Sequence, residues 1–195
     1  MVLGGERTMK SADYYKLWFE ETEGMYCTEK ELKGVSKYFI YQPEPAEEWP
    51  EGITFYATKG GEYADDYLFA TGGWILISER VKQALEELGV EGVQFLPIRV
   101  VRKETGEEVP GYYVLHVWKQ IPALDEEHTV YLEPRSEKYP EPIIGKVALR
   151  KEAIGNADIF RLAEYDVQIY VSRRVKERLE EIGATGFKWI PVPSY

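Results

Sequence analysis

The chain has 195 residues, 44% hydrophobic and 30% charged, enough to bury a substantial core as one domain or two fused lobes. A net charge of −10 and a pI near 4.9 disfavour nucleic acid, whose phosphates call for a basic footprint. A single cysteine, Cys27, excludes an intramolecular disulfide and a thiolate metal cluster and points to a reducing compartment.

In chain order, SADYYKLWFEE offers an N-cap at Ser11 or Asp13, with Tyr14, Leu17 and Trp18 at helical spacing. It predicts a short helix. Tyr38–Tyr41 reads as a short strand. Residues 43–52 (PEPAEEWPEG) form an acidic, proline-rich loop, in which Trp49 either covers the core or faces outward. Residues 1–52 thus read as an N-terminal extension, and 53–195 as a two-unit domain.

Unit one, about residues 53–98, opens with a strand at ITFYA (53–57) and a turn at Lys59-Gly60-Gly61. A polar connection follows (YADDYL), then a buried strand over residues 74–77. Ser78 is placed to cap a helix whose Val81, Leu85 and Leu88 form one apolar face, and Gly89 ends it. A strand over 93–102, a turn at 104–107 and a returning strand over 112–121 follow.

After a loop at 122–142, unit two (about 147–192) repeats this order. Residues 75–98 and 169–192 share eleven identities at a constant offset of 94; chance predicts about one or two. They include Ser78/Ser172, Arg80/Arg174, Lys82/Lys176, Gly89/Gly183, Gly92/Gly186 and Pro97/Pro191. An internal repeat of this kind sets architecture. The fold expected is α+β: antiparallel and mixed sheets, with two strand–strand–helix–strand units each packing one capped helix.

Chemical motifs are sparse. GVEG and GATG follow helices instead of preceding them, so they present no helix N-terminus to phosphate. The two histidines, His116 and His128, lack the ligand company a metal site needs. Cys27 has no evident base. Lys82 and Lys176 stand i,i+4 to Glu86 and Glu180 and are expected to pair with them. The repeated Arg80/Arg174 and Lys82/Lys176 could instead suggest twin anion sites: they lie in the first helical turn, where a cation slightly opposes the macrodipole, which hints at some specific pairing, but the i,i+4 pairing is the reading favoured. No cofactor, metal or catalytic residue is assigned.

Ser-x-Arg-Val-Lys leading to Leu-Glu-Glu-x-Gly-x-x-Gly and a strand ending in Pro, with YYVLHV at 112–117, PALDEEHT at 122–129 and IFRL at 159–162, resembles immunity-protein family eleven of bacterial polymorphic toxin systems. The resemblance spans about residues 53–192. It implies a non-enzymatic protein that binds and neutralises a cognate toxin encoded beside it, and it carries no catalytic residues over.

An acidic, aromatic-rich chain suits a basic protein partner. The partner-binding residues expected are Trp49, Tyr63, Asp65, Asp66, Tyr67, Asp125, Glu126 and Glu127. Recognition is expected where the copies differ: Tyr63, Asp65 and Asp66 in one, Asn156, Asp158 and Arg161 in the other. Two rival readings are a small-molecule or nucleotide-binding regulatory module with a pocket between the units, and a hydrolase using paired carboxylates. No run of about 18 apolar residues predicts a membrane span, and MVLGGERTMK lacks a signal-peptide core. A cytoplasmic protein without membrane or nucleic-acid partners is therefore expected.

Overall fold

A computed structural model describes residues 12–133, 137 and 143–195. The first half contains β1 (Tyr14–Phe19), β2 (Met25–Glu31), a 3-10 turn (Phe39–Tyr41), β3 (Thr54–Gly60), β4 (Tyr67–Phe69), β5 (Ile75–Ser78) and α1 (Glu79–Glu87). The middle contains β6 (Val93–Pro97), β7 (Arg99–Arg102), β8 (Glu108–Val109), β9 (Tyr112–Val117) and β10 (Gln120–Ile121). The remainder contains β11 (Val130–Glu133), β12 (Ile143–Lys146), α2 (Lys151–Ile154), β13 (Ile159–Leu162), β14 (Tyr170–Ser172), α3 (Arg173–Glu181) and β15 (Phe187–Val192). This is an α+β fold of mixed and antiparallel sheets, as the sequence pattern indicates.

The strands form sheets in the orders β10-β13-β14-β1-β15, β4-β5-β9-β6, β2-β3-β7-β8 and β11-β12. The two capped helices and the β5 and β14 strands share one core, which holds Ile75, Ile77, Val81, Leu85, Ile169, Val171, Val175 and Leu179. Leu76 and Tyr170, one residue out of phase, face two other clusters. β5 and β14 are therefore buried on both faces, which is why each reads as a continuous apolar run.

Both copies of the repeated passage fold as strand, helix, strand. Ser78 and Ser172 are extended N-caps whose hydroxyls accept from Val81 N–H and Val175 N–H. Gly89 and Gly183 take φ of 67° and 64° just past the helix ends, a left-handed conformation that only glycine adopts without cost. Lys82–Glu86 and Lys176–Glu180 pair at i,i+4, as expected.

The N-terminal segment departs from expectation. The helix predicted at 11–18 is strand β1; position 11 itself lies outside the described residues. Tyr14, Leu17 and Trp18 do satisfy a helical spacing. Tyr15 and Leu17, however, enter one core while Tyr14 enters another, a period-two pattern that β-favouring aromatics reinforce. β1 lies between β14 and β15, with Tyr14 opposite Ser172 and Tyr15 opposite Pro191. β9 lies between β5 and β6, with Tyr112 opposite Ser78 and Tyr113 opposite Pro97. YYKLWF therefore does for the second passage what YYVLHV does for the first, in the same register, although it stands at the other end of the chain. Lys82 sits 5.1 Å from the Tyr113 ring, and Lys176 sits 5.3 Å from the Tyr15 ring.

Three further expectations change. Tyr38–Tyr41 is a 3-10 turn, not a strand. The single strand expected over 93–102 divides at Ile98, because β6 pairs with β9 and β7 crosses to pair with β3 in another sheet. Residues 147–150, aligned by offset with the ITFYA strand, lie outside any strand longer than a bridge. The loop expected at 122–142 contains strand β11 (Val130–Glu133) in its described part and falls partly outside the described residues.

Candidate interaction surface

The acidic and aromatic residues singled out from sequence divide sharply by burial. Asp66 is 7% exposed. Its carboxylate accepts from Ser78 Oγ at 2.6 Å, Arg80 Nε at 2.7 Å and Thr185 N–H at 2.9 Å, and also from Arg80 Nη2. Burial alone would raise this carboxyl. The hydrogen bonds from Arg80, Ser78 and the Thr185 N–H prevail and hold it below the ordinary value. Asp158 repeats the arrangement with Ser172 Oγ at 2.6 Å and Arg174.

Each arginine then reaches across to the other helix. Arg80 donates to the carbonyls of Ile182 and Gly183 at the end of α3, both at 2.9 Å, and Arg174 donates to Leu88 O at the end of α1. A cation unfavourable at its own helix N-terminus is thereby placed at the negative end of its neighbour. Arg178 adds an ion pair to Glu87 across the same seam. Asp66 and Asp158, which the 94-residue offset does not align, are structural counterparts 92 positions apart.

These contacts correct the expectation of an acidic surface at Asp65–Tyr67. Asp65 is buried, accepting from Thr22 Oγ1 at 2.5 Å through its side chain and from Tyr112 Oη at 2.7 Å through its carbonyl. Tyr67 is half-buried, 5.4 Å from the Phe187 ring. Trp49 covers the core: its Nε1 donates to Pro97 O at 2.9 Å and its ring packs on Phe39. Asp125 is buried too. It accepts from the Glu127 and His128 amides and from His128 Nδ1 at 2.9 Å, closing a tight turn. Only Tyr63, Glu126 and Glu127 face solvent.

The Asp125 turn has a consequence for the surface. It holds Glu126 and Glu127 exposed directly ahead of β11, and β11 with β12 makes a separate two-stranded ribbon. The outer face of that ribbon exposes apolar side chains together with Lys146, which lies opposite Val130. Val130 is 52%, Leu132 69% and Ile143 46% exposed. Leu132 lies over Gly145, where an added Cβ would meet its Cγ at 2.9 Å, so the leucine is held flat on the ribbon by the absence of a side chain beneath it. The opposite face is anchored, with Ile144 packed against a core cluster. Tyr195, also exposed, stacks on His128 with ring centroids 3.9 Å apart.

The sequence indicated the exposure of Glu126 and Glu127 but not that of Val130, Leu132 and Ile143. The alternation in VYLE and IIGK resembles a half-buried strand, and nothing in it says which half is buried. The expected signal was acidic loops, and those loops turned inward because their carboxylates cap helices and turns.

Other candidate groups are internal. Cys27 is buried, and burial pushes its thiol up to about 12, so it stays protonated at neutral pH. His116 is fully buried, with Nε2 donating to Glu44 O at 3.0 Å and its ring 4.6 Å from Phe39. Burial lowers its pKa, and the hydrogen bond to Glu44 opposes this in part. A neutral buried histidine takes up its proton more readily when unfolded. Stability is therefore expected to fall as pH drops below about 6.5, and His116→Phe is expected to remove that part of the loss. Urea midpoints for both proteins between pH 7 and pH 5 would check this; parallel curves would refute it. Among the described residues no group of three or more His, Cys, Asp or Glu side chains is placed to hold a metal ion. No described helix is long and apolar enough to cross a membrane.

Compared with known proteins, residues 14–194 match the model of the immunity protein family Imm11. No curated protein matches the chain. The matched span begins at the first residue of β1 and includes β15, so it takes in both strands of the β1–β15 pair.

Proposed function

The chain belongs to the Imm11 immunity protein family, and from that premise we propose that it binds and neutralises a cognate bacterial toxin by direct protein–protein contact in the cytoplasm, using no catalytic residue or cofactor. The observation that carries the reading is the outer face of the β11–β12 ribbon, where Val130, Leu132 and Ile143 stand exposed beside Glu126 and Glu127. Apolar side chains presented on a fixed ribbon lose little freedom on binding. The adjacent carboxylates and the net charge of −10 favour a basic partner and speed encounter with it. Tyr63, exposed at 53%, is a second contact of the kind expected from sequence. Trp49, Asp65, Asp66, Tyr67 and Asp125 contribute by fixing the scaffold.

The test is co-purification with the toxin encoded beside the gene. A stable 1:1 complex is expected. Leu132→Arg is expected to weaken it by about 100-fold, because it removes a central apolar side chain and forces a charge into the interface, with the melting temperature unchanged. Tyr38→Ala, at an aromatic residue exposed elsewhere, serves as the control and leaves affinity intact. A Leu132→Arg protein that binds as the wild type does would rule out the ribbon. A neighbouring toxin left unbound at micromolar concentration would rule out the reading as a whole.

A further inference from the structure

A cleft of about 230 Å3 opens between the β4–β5 hairpin and the β1–β14 side of the other sheet. Trp18, Phe69 and Val167 are among its walls, and Trp74, Arg161 and Gln168 also line it. Three of these residues carry polar groups that the protein leaves unanswered.

Arg161 is 3% exposed. Its Nε donates to Val117 O at 3.3 Å, and its Nη1 donates to Asp166 O at 2.6 Å. Its Nη2 makes no hydrogen bond to any described residue, and no described carboxylate lies within the 4.0 Å of an ion pair. The guanidinium carbon lies 5.3 Å from the Tyr41 ring. Arg80 and Arg174, by contrast, each grip an aspartate. Two carbonyls and the Tyr41 ring offset part of the cost of burying this guanidinium, but no described carboxylate grips it.

Trp74 is 1% exposed, and its Nε1 has no hydrogen-bond partner. The ring edge bearing that nitrogen faces Gly72, another lining residue: a Cβ on Gly72 would lie 4.0 Å from Nε1. Gln168 Oε1 is likewise buried without a partner. Native structures leave few such atoms, yet here one buried unpartnered donor, Trp74 Nε1, and one buried unpartnered acceptor, Gln168 Oε1, belong to residues that line one cleft with Arg161.

We propose that this cleft binds a small carboxylic acid with a compact apolar body and a hydrogen-bond donor next to the carboxylate, the chemistry of an α-hydroxy or α-amino acid. Arg161 Nη2 and Trp74 Nε1 are the donors for the carboxylate, Gln168 Oε1 accepts from the ligand's hydroxyl or amine, and the aromatic walls take the apolar body. The volume lies below the ~300–1,000 Å3 of drug-sized pockets, which limits the occupant to the size of a single amino acid. The site is independent of toxin binding and is tested on the protein alone.

The probe is 3-phenyllactate, followed by calorimetry and by tryptophan fluorescence. Saturable binding with Kd below about 1 mM is expected, and its primary amide is expected to bind at least about tenfold more weakly because it cannot pair with Arg161. Arg161→Gln should abolish binding. Because Arg161 is buried and its replacement puts folding at risk, the exposed mouth residue Val167 provides a second test. Val167→Glu sets a like charge beside the bound carboxylate and should weaken binding at least about fivefold with the melting temperature unchanged. No saturable binding by the wild type up to about 10 mM overturns the proposal, as does equal affinity for acid and amide, or an unaltered Kd in a folded Val167→Glu protein.

Discussion

Replacing Leu17 with alanine is expected to destabilise the protein by about 2–5 kcal/mol, the range for a truncated core leucine. Leu17 is 6% exposed and lies in the core shared by α1, α3 and both middle strands. Its counterpart Leu115 occupies the same register position in β9: Leu115 pairs with Phe95, as Leu17 pairs with Trp189. Leu115→Ala should therefore cost a similar amount, and the two single substitutions should each lower the urea midpoint of one cooperative transition. A cost within about 0.5 kcal/mol, as for an ordinary surface site, would mean that β1 is a detachable appendage. A separate early transition in Leu17→Ala would mean that the two sheets unfold independently.

Asp66→Ala is expected to cost about 2–4 kcal/mol, and Asp158→Ala about 1–3 kcal/mol. Both carboxylates bind an N-cap serine and an arginine, but Asp66 also accepts from Thr185 N–H at 2.9 Å and Thr185 Oγ1 at 3.3 Å. Its removal leaves a backbone donor and a serine hydroxyl without an acceptor in a water-poor setting, and it frees Arg80 from the end of α3. Arg80 is about half exposed, so solvent recovers part of the loss, and the cost stays below that for a fully buried pair. The order of the two effects is the test: equal losses would assign no role to the Thr185 contacts. Since the folded pKa of Asp66 lies below the ordinary 3.8, its contribution is complete above about pH 4 and disappears as pH falls through the folded value. Asp66→Asn should flatten that acid limb, and parallel acid limbs in the two proteins would contradict it.

Much of the repeated passage was legible because its signals are local. A serine before an apolar helix face, a glycine after it and a paired lysine each act within four residues, and each did what its sequence position indicates. What was illegible depends on distant partners. YYKLWF fits a helix or a strand equally well until β14 and β15 are present to take its edges. Arg80 and Arg174 look misplaced at helix starts until the far helix ends are seen. The candidate surface was half legible for a related reason. Asp65, Asp66 and Asp125 carry the charge of a contact residue, yet each is claimed by a hydroxyl, a guanidinium or an amide nearby. The apolar ribbon face carries no signal apart from its neighbours. Only Glu126, Glu127 and Tyr63 kept the exposure that composition suggests.

The placement of β1 also bears on when the molecule becomes whole. β1 is flanked by β14 and β15, strands that lie far later in the sequence. Contacts this far apart in sequence are slow to form and carry the full loop-closure cost. A nascent chain can assemble the β4-β5-β9-β6 sheet early, but it must carry β1 unpaired until β14 and β15 have been made. The core against which Ile144 of the ribbon packs includes both Tyr14 and Val192. The ribbon's foundation is thus finished only with β15, and a chain cut before β15 would display the ribbon residues without the support that makes them a surface.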